Sequence, residues 1–188
     1  MYYNNSNESK EVFFSMKEYV SISIVSERSA VKANLFDAVY EKQIAEMSED
    51  ISVMVPEELP GEQDGESLEM ITEGFVRVRG GRVEIVYDEG ELSGMEGSRT
   101  VVSYAKDEPK TVSMIRSGAV STALVFERGV RHLCTYETPY MPFQIGVLAI
   151  CVDNRLESDG VMVLDYLIEI RGAQAERCKM TLQVKKIA

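Results

Sequence analysis

The segment Ser67–Asp88, SLEMITEGFVRVRGGRVEIVYD, decides the fold of this chain. Its two halves alternate apolar and polar residues and are separated by Gly80-Gly81. A period of two is typical of a strand with one buried face, and Gly-Gly between two such runs is typical of a tight hairpin turn. The segment therefore predicts a pair of antiparallel strands.

The same pattern recurs along most of the chain. The predicted strands are Glu18–Glu27, Ser67–Arg79, Arg82–Asp88, Arg99–Ala105, Thr111–Arg116, Ala119–Glu127, Val130–Tyr136, Phe143–Asn154, Val161–Arg171 and Glu176–Lys186. Their connections are too short for parallel crossovers, and a sheet that closes on itself has no exposed edges. The sequence predicts an all-β protein with a single antiparallel up-and-down β-barrel of eight to ten strands.

One insert interrupts the strands. Within residues 29–66, Val31, Leu35 and Val39 recur four apart, which predicts an amphipathic helix lying on the barrel after the first strand. Residues 41–69 hold ten acids against one base and predict an acidic, solvated connector. Residues 1–15 show neither period and predict a flexible tail before one domain over residues 16–188.

The composition disfavours two classes of partner. A formal charge of −11 and a pI near 4.7 disfavour nucleic acid and anionic membranes, which both require clusters of Lys and Arg.

No segment has the length and apolarity of a signal peptide or spanning helix. The widely spaced Cys134, Cys151 and Cys178 indicate neither a disulfide framework nor a zinc site. We predict a cytoplasmic protein.

Arg116 is the first candidate binding residue. By alternation it shares the inner face with Val112 and Met114, where a guanidinium requires an acceptor. It would either anchor the carboxylate or phosphate of a ligand, or form a structural pair with an internal Glu or with backbone carbonyls.

Tyr136, Thr138 and Tyr140 lie in an aromatic segment that Pro139 and Pro142 interrupt. Pro marks a strand end, so this corner is expected at a mouth of the barrel. There the rings could contact an amphipathic ligand at the rim or seal the barrel end.

No catalytic or metal-binding pattern stands out. His132, the single histidine, lies two residues from Cys134, which places them about 7 Å apart on one strand face, too far for a base to activate a thiol. Asp88, Glu89, Glu91 and Glu96 cluster in one loop without the spacing of a calcium site, which predicts a solvated hairpin loop. We therefore expect no catalytic residue, metal or cofactor, and an enzyme is the less favoured class.

Several short motifs occur together in order. They are Tyr87-Asp88-Glu89, Gly94-Met95-Glu96-Gly97 with Thr100, Ile115-Arg116-Ser117-Gly118-Ala119-Val120, and Tyr136-Glu137-Thr138-Pro139-Tyr140. With these motifs the chain resembles the YwiB-like family of bacterial proteins, a domain of unknown function. The resemblance implies a calycin, or lipocalin-like, barrel and a cytosolic protein of Gram-positive bacteria without an assigned activity. It adds the motif residues Tyr87 and Glu89 to the candidate ligand-binding set.

We interpret the chain as a non-enzymatic module that binds a small amphipathic ligand in its barrel. The alternative is a protein-protein interaction module that uses the acidic insert. A further alternative is an enzyme with an unrecognised site. A shared fold does not by itself decide among them.

Overall fold

A computed structural model describes residues 17–31, 65–170 and 174–187. Their strands are β1 (Lys17–Val31), β2 (Glu66–Arg79), β3 (Arg82–Asp88), β4 (Arg99–Ala105), β5 (Glu108–Ser117), β6 (Ser121–Phe126), β7 (Arg131–Glu137), β8 (Pro142–Arg155), β9 (Val161–Ile170) and β10 (Gln174–Lys186). One 3₁₀ turn, Glu91–Ser93, lies between β3 and β4. No helix in these ranges is long and apolar enough to cross a membrane.

The ten strands form one closed antiparallel barrel. Each strand pairs with its neighbours in sequence, and β1 pairs with both β2 and β10. This confirms the predicted up-and-down barrel. Closure pairs every strand on both sides, which removes the edges that an open sheet would expose.

The predicted strands are confirmed with small changes at their ends. The largest difference concerns residues 29–31, which were predicted to begin a helix but belong to β1, where Val31 pairs with Ala175. The rest of the predicted helix, most of the acidic connector and the tail 1–15 lie outside the described residues.

The barrel interior is filled by inward-facing apolar side chains over much of its length. Fully buried members from six strands are Ile22, Ile85, Tyr104, Met114, Phe126 and Leu164. They belong to one hydrophobic cluster, as the alternation of each strand requires. The polar groups described below therefore lie next to a packed core and not in a continuous channel.

The two ends of the barrel differ. One end carries the β3–β4, β5–β6 and β7–β8 connections. Strand β1 ends and strand β2 begins at this same end. We call it the upper end. The opposite end carries the β2–β3 turn at Gly80-Gly81, where both glycines have positive φ. These torsions suit the tight hairpin that the sequence predicted.

The seam between β6 and β7 is the weakest part of the ladder. These strands pair only through Ser121 with Glu137 and Thr122 with Tyr136, whereas β1 and β10 pair over residues 20–31. Amide hydrogen exchange should therefore be faster at residues 123–126 and 131–135 than in the β1–β10 pair, because a short ladder opens locally at lower cost. Peptide-level exchange measured by mass spectrometry checks this prediction, and uniform protection around the barrel would contradict it.

Candidate functional site

A row of inward-facing side chains crosses six neighbouring strands near the upper end. Each member is the direct cross-strand partner of the next, in the order Tyr87, Thr100, Arg116, Thr122, Tyr136 and Phe143. We call this set the inner row. Directly opposed residues of antiparallel strands lie within side-chain contact distance. The strand register therefore assembles residues that are far apart in sequence into one surface.

A buried ion pair lies on the inner row. Arg116 Nε donates to Glu89 Oε1 at 3.0 Å, and Thr100 Oγ1 donates to the same oxygen at 2.5 Å. The side chains of Arg116 and Glu89 are only 12% and 2% exposed. Glu89 follows the end of β3 and was predicted to lie in a solvated loop. Its carboxylate instead supplies the internal partner that was one of the two alternatives for Arg116.

The surroundings keep the Arg116 guanidinium charged. Burial acts to lower the pKa of Arg116, but the negative charge and hydrogen bond of Glu89, together with Tyr87 and Tyr166, outweigh it and raise the pKa overall. The same group therefore remains a donor of hydrogen bonds at any physiological pH.

Tyr87 contributes a protonated hydroxyl beside this pair. Burial, followed by the charge of Glu89, raises the pKa of Tyr87, while Arg116 and Thr100 act in the opposite direction. The side chain is almost fully buried. Tyr87 therefore presents a neutral phenol to the interior.

Thr122 is the neighbour of Arg116 on β6, and it is 6% exposed. Its hydroxyl has no hydrogen-bond partner of normal geometry among the described residues. The Cys134 thiol lies beside it. Burial raises the pKa of that thiol overall, and the contact with Thr122 acts in the opposite direction. A buried hydroxyl without a strong partner is costly, and its position next to a guanidinium makes it a candidate ligand contact.

The aromatic corner divides into an inner and an outer part. Tyr136 stacks on Phe143 with ring centroids 5.3 Å apart, and its hydroxyl lies 3.8 Å from Met95 Sδ. Thr138 instead caps the β7–β8 turn, where its hydroxyl donates to the carbonyl oxygen of Met141 at 2.9 Å. Tyr140 is 93% exposed. Of the predicted site residues, the structure thus brings together Tyr87, Glu89, Arg116 and Tyr136, while Thr138 and Tyr140 lie on the turn outside.

Sequence reasoning missed three contributors, namely Thr100, Thr122 and Tyr166. Tyr166 on β9 packs on Phe126 with ring centroids 4.7 Å apart. Burial and the Cys178 thiol raise its pKa, whereas the charges of Arg116 and Arg28 act to lower it. The phenol thus lies within electrostatic reach of both arginines. Alternation alone could place these residues inward, but only the register shows which of them meet.

The remaining candidates form no catalytic group. His132 Nε2 lies 3.4 Å from Glu127 Oε2, and Cys134 Sγ lies 3.8 Å from the carbonyl oxygen of Ile145. Asp88 binds Arg99 at the surface. Within residues 17–31, 65–170 and 174–187, no three side chains of His, Cys, Asp or Glu form a group that could hold a metal.

The chain is similar to one protein family and to one protein of known structure. The family profile described as "Domain of unknown function (DUF1934)" matches residues 51–182, which include β2 to β9 and most of β10. The crystal structure of the ywiB protein from Bacillus subtilis superimposes with a TM-score of 0.59 and 14% sequence identity, covering 92% of this chain and 95% of that chain. At this identity the likeness concerns the fold alone. No curated protein sequence matches the chain.

Proposed function

Because the chain belongs to the DUF1934 family, a domain of unknown function with no activity to carry over, we propose from its own geometry that it binds a small amphipathic ligand. The site is the inner row at the upper end of the barrel. The polar head of the ligand contacts Arg116 and Thr122, and its apolar part packs on the stacked rings of Tyr136 and Phe143. The role is one of binding and not of catalysis.

The observation that carries this proposal is that the buried Thr122 hydroxyl beside Arg116 has no hydrogen-bond partner of normal geometry among the described residues. A barrel stabilised only by its apolar core would gain from an apolar residue at this position, because an unpaired buried hydroxyl costs about 1–3 kcal/mol. A hydrogen bond to a bound molecule would supply the missing partner of this hydroxyl. Small-molecule sites commonly combine such a polar group with an aromatic wall.

We also propose that the protein works in the reducing cytoplasm. All three cysteines, Cys134, Cys151 and Cys178, carry free thiols. Barrels of proteins from oxidising compartments often use disulfides, and the absence of pairing among these three residues supports a reducing one.

The test uses four ten-carbon amphiphiles, decanol, decanoate, decyl phosphate and decyltrimethylammonium, below their micelle concentrations. We expect at least one of them to bind saturably and to raise the melting temperature of the full chain, as measured by isothermal calorimetry and thermal shift. Thr122→Val should fold at least as stably as the wild type but bind the same probe about fivefold to tenfold more weakly, because one hydrogen bond is lost.

Thr181→Val is the matched control. Thr181 lies on the outer face of β10, between Leu182 and Met180, whose side chains are buried inside. This variant should bind the probe like the wild type. Failure of all four probes to bind, or equal affinity of the Thr122→Val and Thr181→Val variants, would contradict the proposed function.

A further inference from the structure

Arg28 is a second arginine on the inner face of the barrel. It lies on β1 and pairs with Cys178 of β10 on one side and with Glu66 of β2 on the other. Cys178 is buried in the core cluster and in turn pairs with Tyr166 of β9. Because directly paired residues share a sheet face, Arg28 is directed to the same side as Tyr166.

Arg28 differs from Arg116, on the same inner face, in having no acceptor within residues 17–31, 65–170 and 174–187. Arg116 is paired with Glu89, whereas Arg28 forms no hydrogen bond or ion pair with any residue that the structure describes. Its side chain is exposed although β1 is part of the closed barrel. The guanidinium is therefore accessible to solvent, and none of its five donors is used by a residue within the described ranges.

Tyr166 is the nearest phenol to Arg28 along the strand pairing, because Arg28 of β1 pairs with Cys178 of β10 and Cys178 pairs with Tyr166 of β9. The charges of both Arg28 and Arg116 act on this phenol. The inner face thus carries two cations and one neutral donor. This combination matches a small anion that has more than one acceptor oxygen.

The acidic neighbours of Arg28 limit the charge that this anion can carry. Glu66 is its cross-strand partner, and Glu176 shares the inner face of β10 with Cys178. Neither forms an ion pair with Arg28, but both add negative charge near the mouth, which repels a doubly charged group more than a singly charged one. A carboxylate therefore fits better than a phosphate monoester.

We propose that the polar head of the amphipathic ligand is a carboxylate, and that Arg28 and the Tyr166 hydroxyl contact it at the upper end of the barrel in addition to Arg116 and Thr122. This inference rests on the proposed function and adds the chemical class of the ligand and the residue that selects it. The charge of Arg116 is paired with that of Glu89, whereas Arg28 supplies a charge that no described residue pairs with.

The four ten-carbon probes separate this inference from the proposed function. Decanoate should bind more tightly than decyl phosphate, and decanol and decyltrimethylammonium should bind at least about tenfold more weakly than decanoate, since they lack a charge-assisted bond to Arg28. Arg28→Gln should weaken decanoate binding about tenfold and leave decanol binding unchanged. Arg79→Gln is the matched control, because Arg79 is an exposed arginine on the outer face of β2.

Each outcome bears on one of the two proposals. Selective binding of decanoate that Arg28→Gln removes and Arg79→Gln does not supports the inference. Equal binding of decanol and decanoate, tighter binding of decyl phosphate, or an Arg28→Gln variant with wild-type affinity would overturn it and leave the binding module intact. Absence of binding by every probe would overturn the binding module itself. Unfolding by urea shows whether each variant is folded, so a loss of affinity is not confused with a loss of structure.

Discussion

Arg116→Met should destabilise the protein by about 3–5 kcal/mol, because removing one partner of a buried ion pair leaves the other charge uncompensated. The pair is well shielded, since the side chains of Arg116 and Glu89 are 12% and 2% exposed. Thr100 would still donate to the Glu89 carboxylate, but one neutral hydroxyl does not replace a guanidinium. Urea denaturation at neutral pH measures the effect.

A double variant distinguishes this explanation from a simple loss of packing. In Arg116→Met/Glu89→Gln both charges are absent, and replacement of a buried pair by neutral groups is often close to neutral for stability. Most of the stability lost in Arg116→Met should therefore return. Arg99→Met removes a partner of the exposed Asp88 and should change stability little. If the double variant is as unstable as Arg116→Met, the charge explanation is wrong and the methylenes of Arg116 account for the loss.

The barrel could be predicted from the sequence because its signal is local. In β10, for example, Met180, Leu182 and Val184 alternate with polar residues, and all three are buried. Alternation requires knowledge of one strand only, and short connections then determine which strands are neighbours. The inward direction of Arg116 follows from the same rule, and Val112 and Met114 are indeed fully buried beside it.

The contacts of the site could not be predicted in this way. Glu89 follows β3 in a loop of acidic residues, and nothing near it in sequence shows that Arg116 lies against it. The partners of Thr122 likewise depend on the exact register of β5, β6 and β7. A shift of one residue would turn every side chain of a strand to the other face, so the site depends on information that a single strand does not contain.

The boundary at residues 29–31 shows a related limit. Val31 belongs to a series of apolar residues four apart and was therefore predicted in a helix, but it pairs with Ala175 and is buried. Hydrogen bonding to β10 extends β1 past the point at which the local pattern changes. Long-range pairing thus outweighs the helical period at these three residues.

Gly118→Ala should be among the most destabilising single-methyl changes in this protein, at about 3 kcal/mol, from backbone strain together with a steric clash. Gly118 follows β5 with φ of +133°, a torsion that residues with a side chain rarely adopt. A Cβ at this position would lie 2.2 Å from the carbonyl oxygen of Gly97 in the β3–β4 connection. Close approach of the two connections is fixed by a further bond, in which Val120 N donates to Ser98 Oγ at 2.9 Å.

The β3–β4 connection begins with Glu89, so its displacement should also weaken the ion pair with Arg116. Gly118→Ala is therefore expected to lower both the stability and the affinity for decanoate. Gly94→Ala is the control, because Gly94 also has positive φ, +69°, but a Cβ there would meet nothing within 4 Å. It should cost only about 1 kcal/mol, from the left-handed backbone alone. Equal losses in the two variants would show that the torsion and not the contact with Gly97 determines the effect, and that the two connections are free to separate.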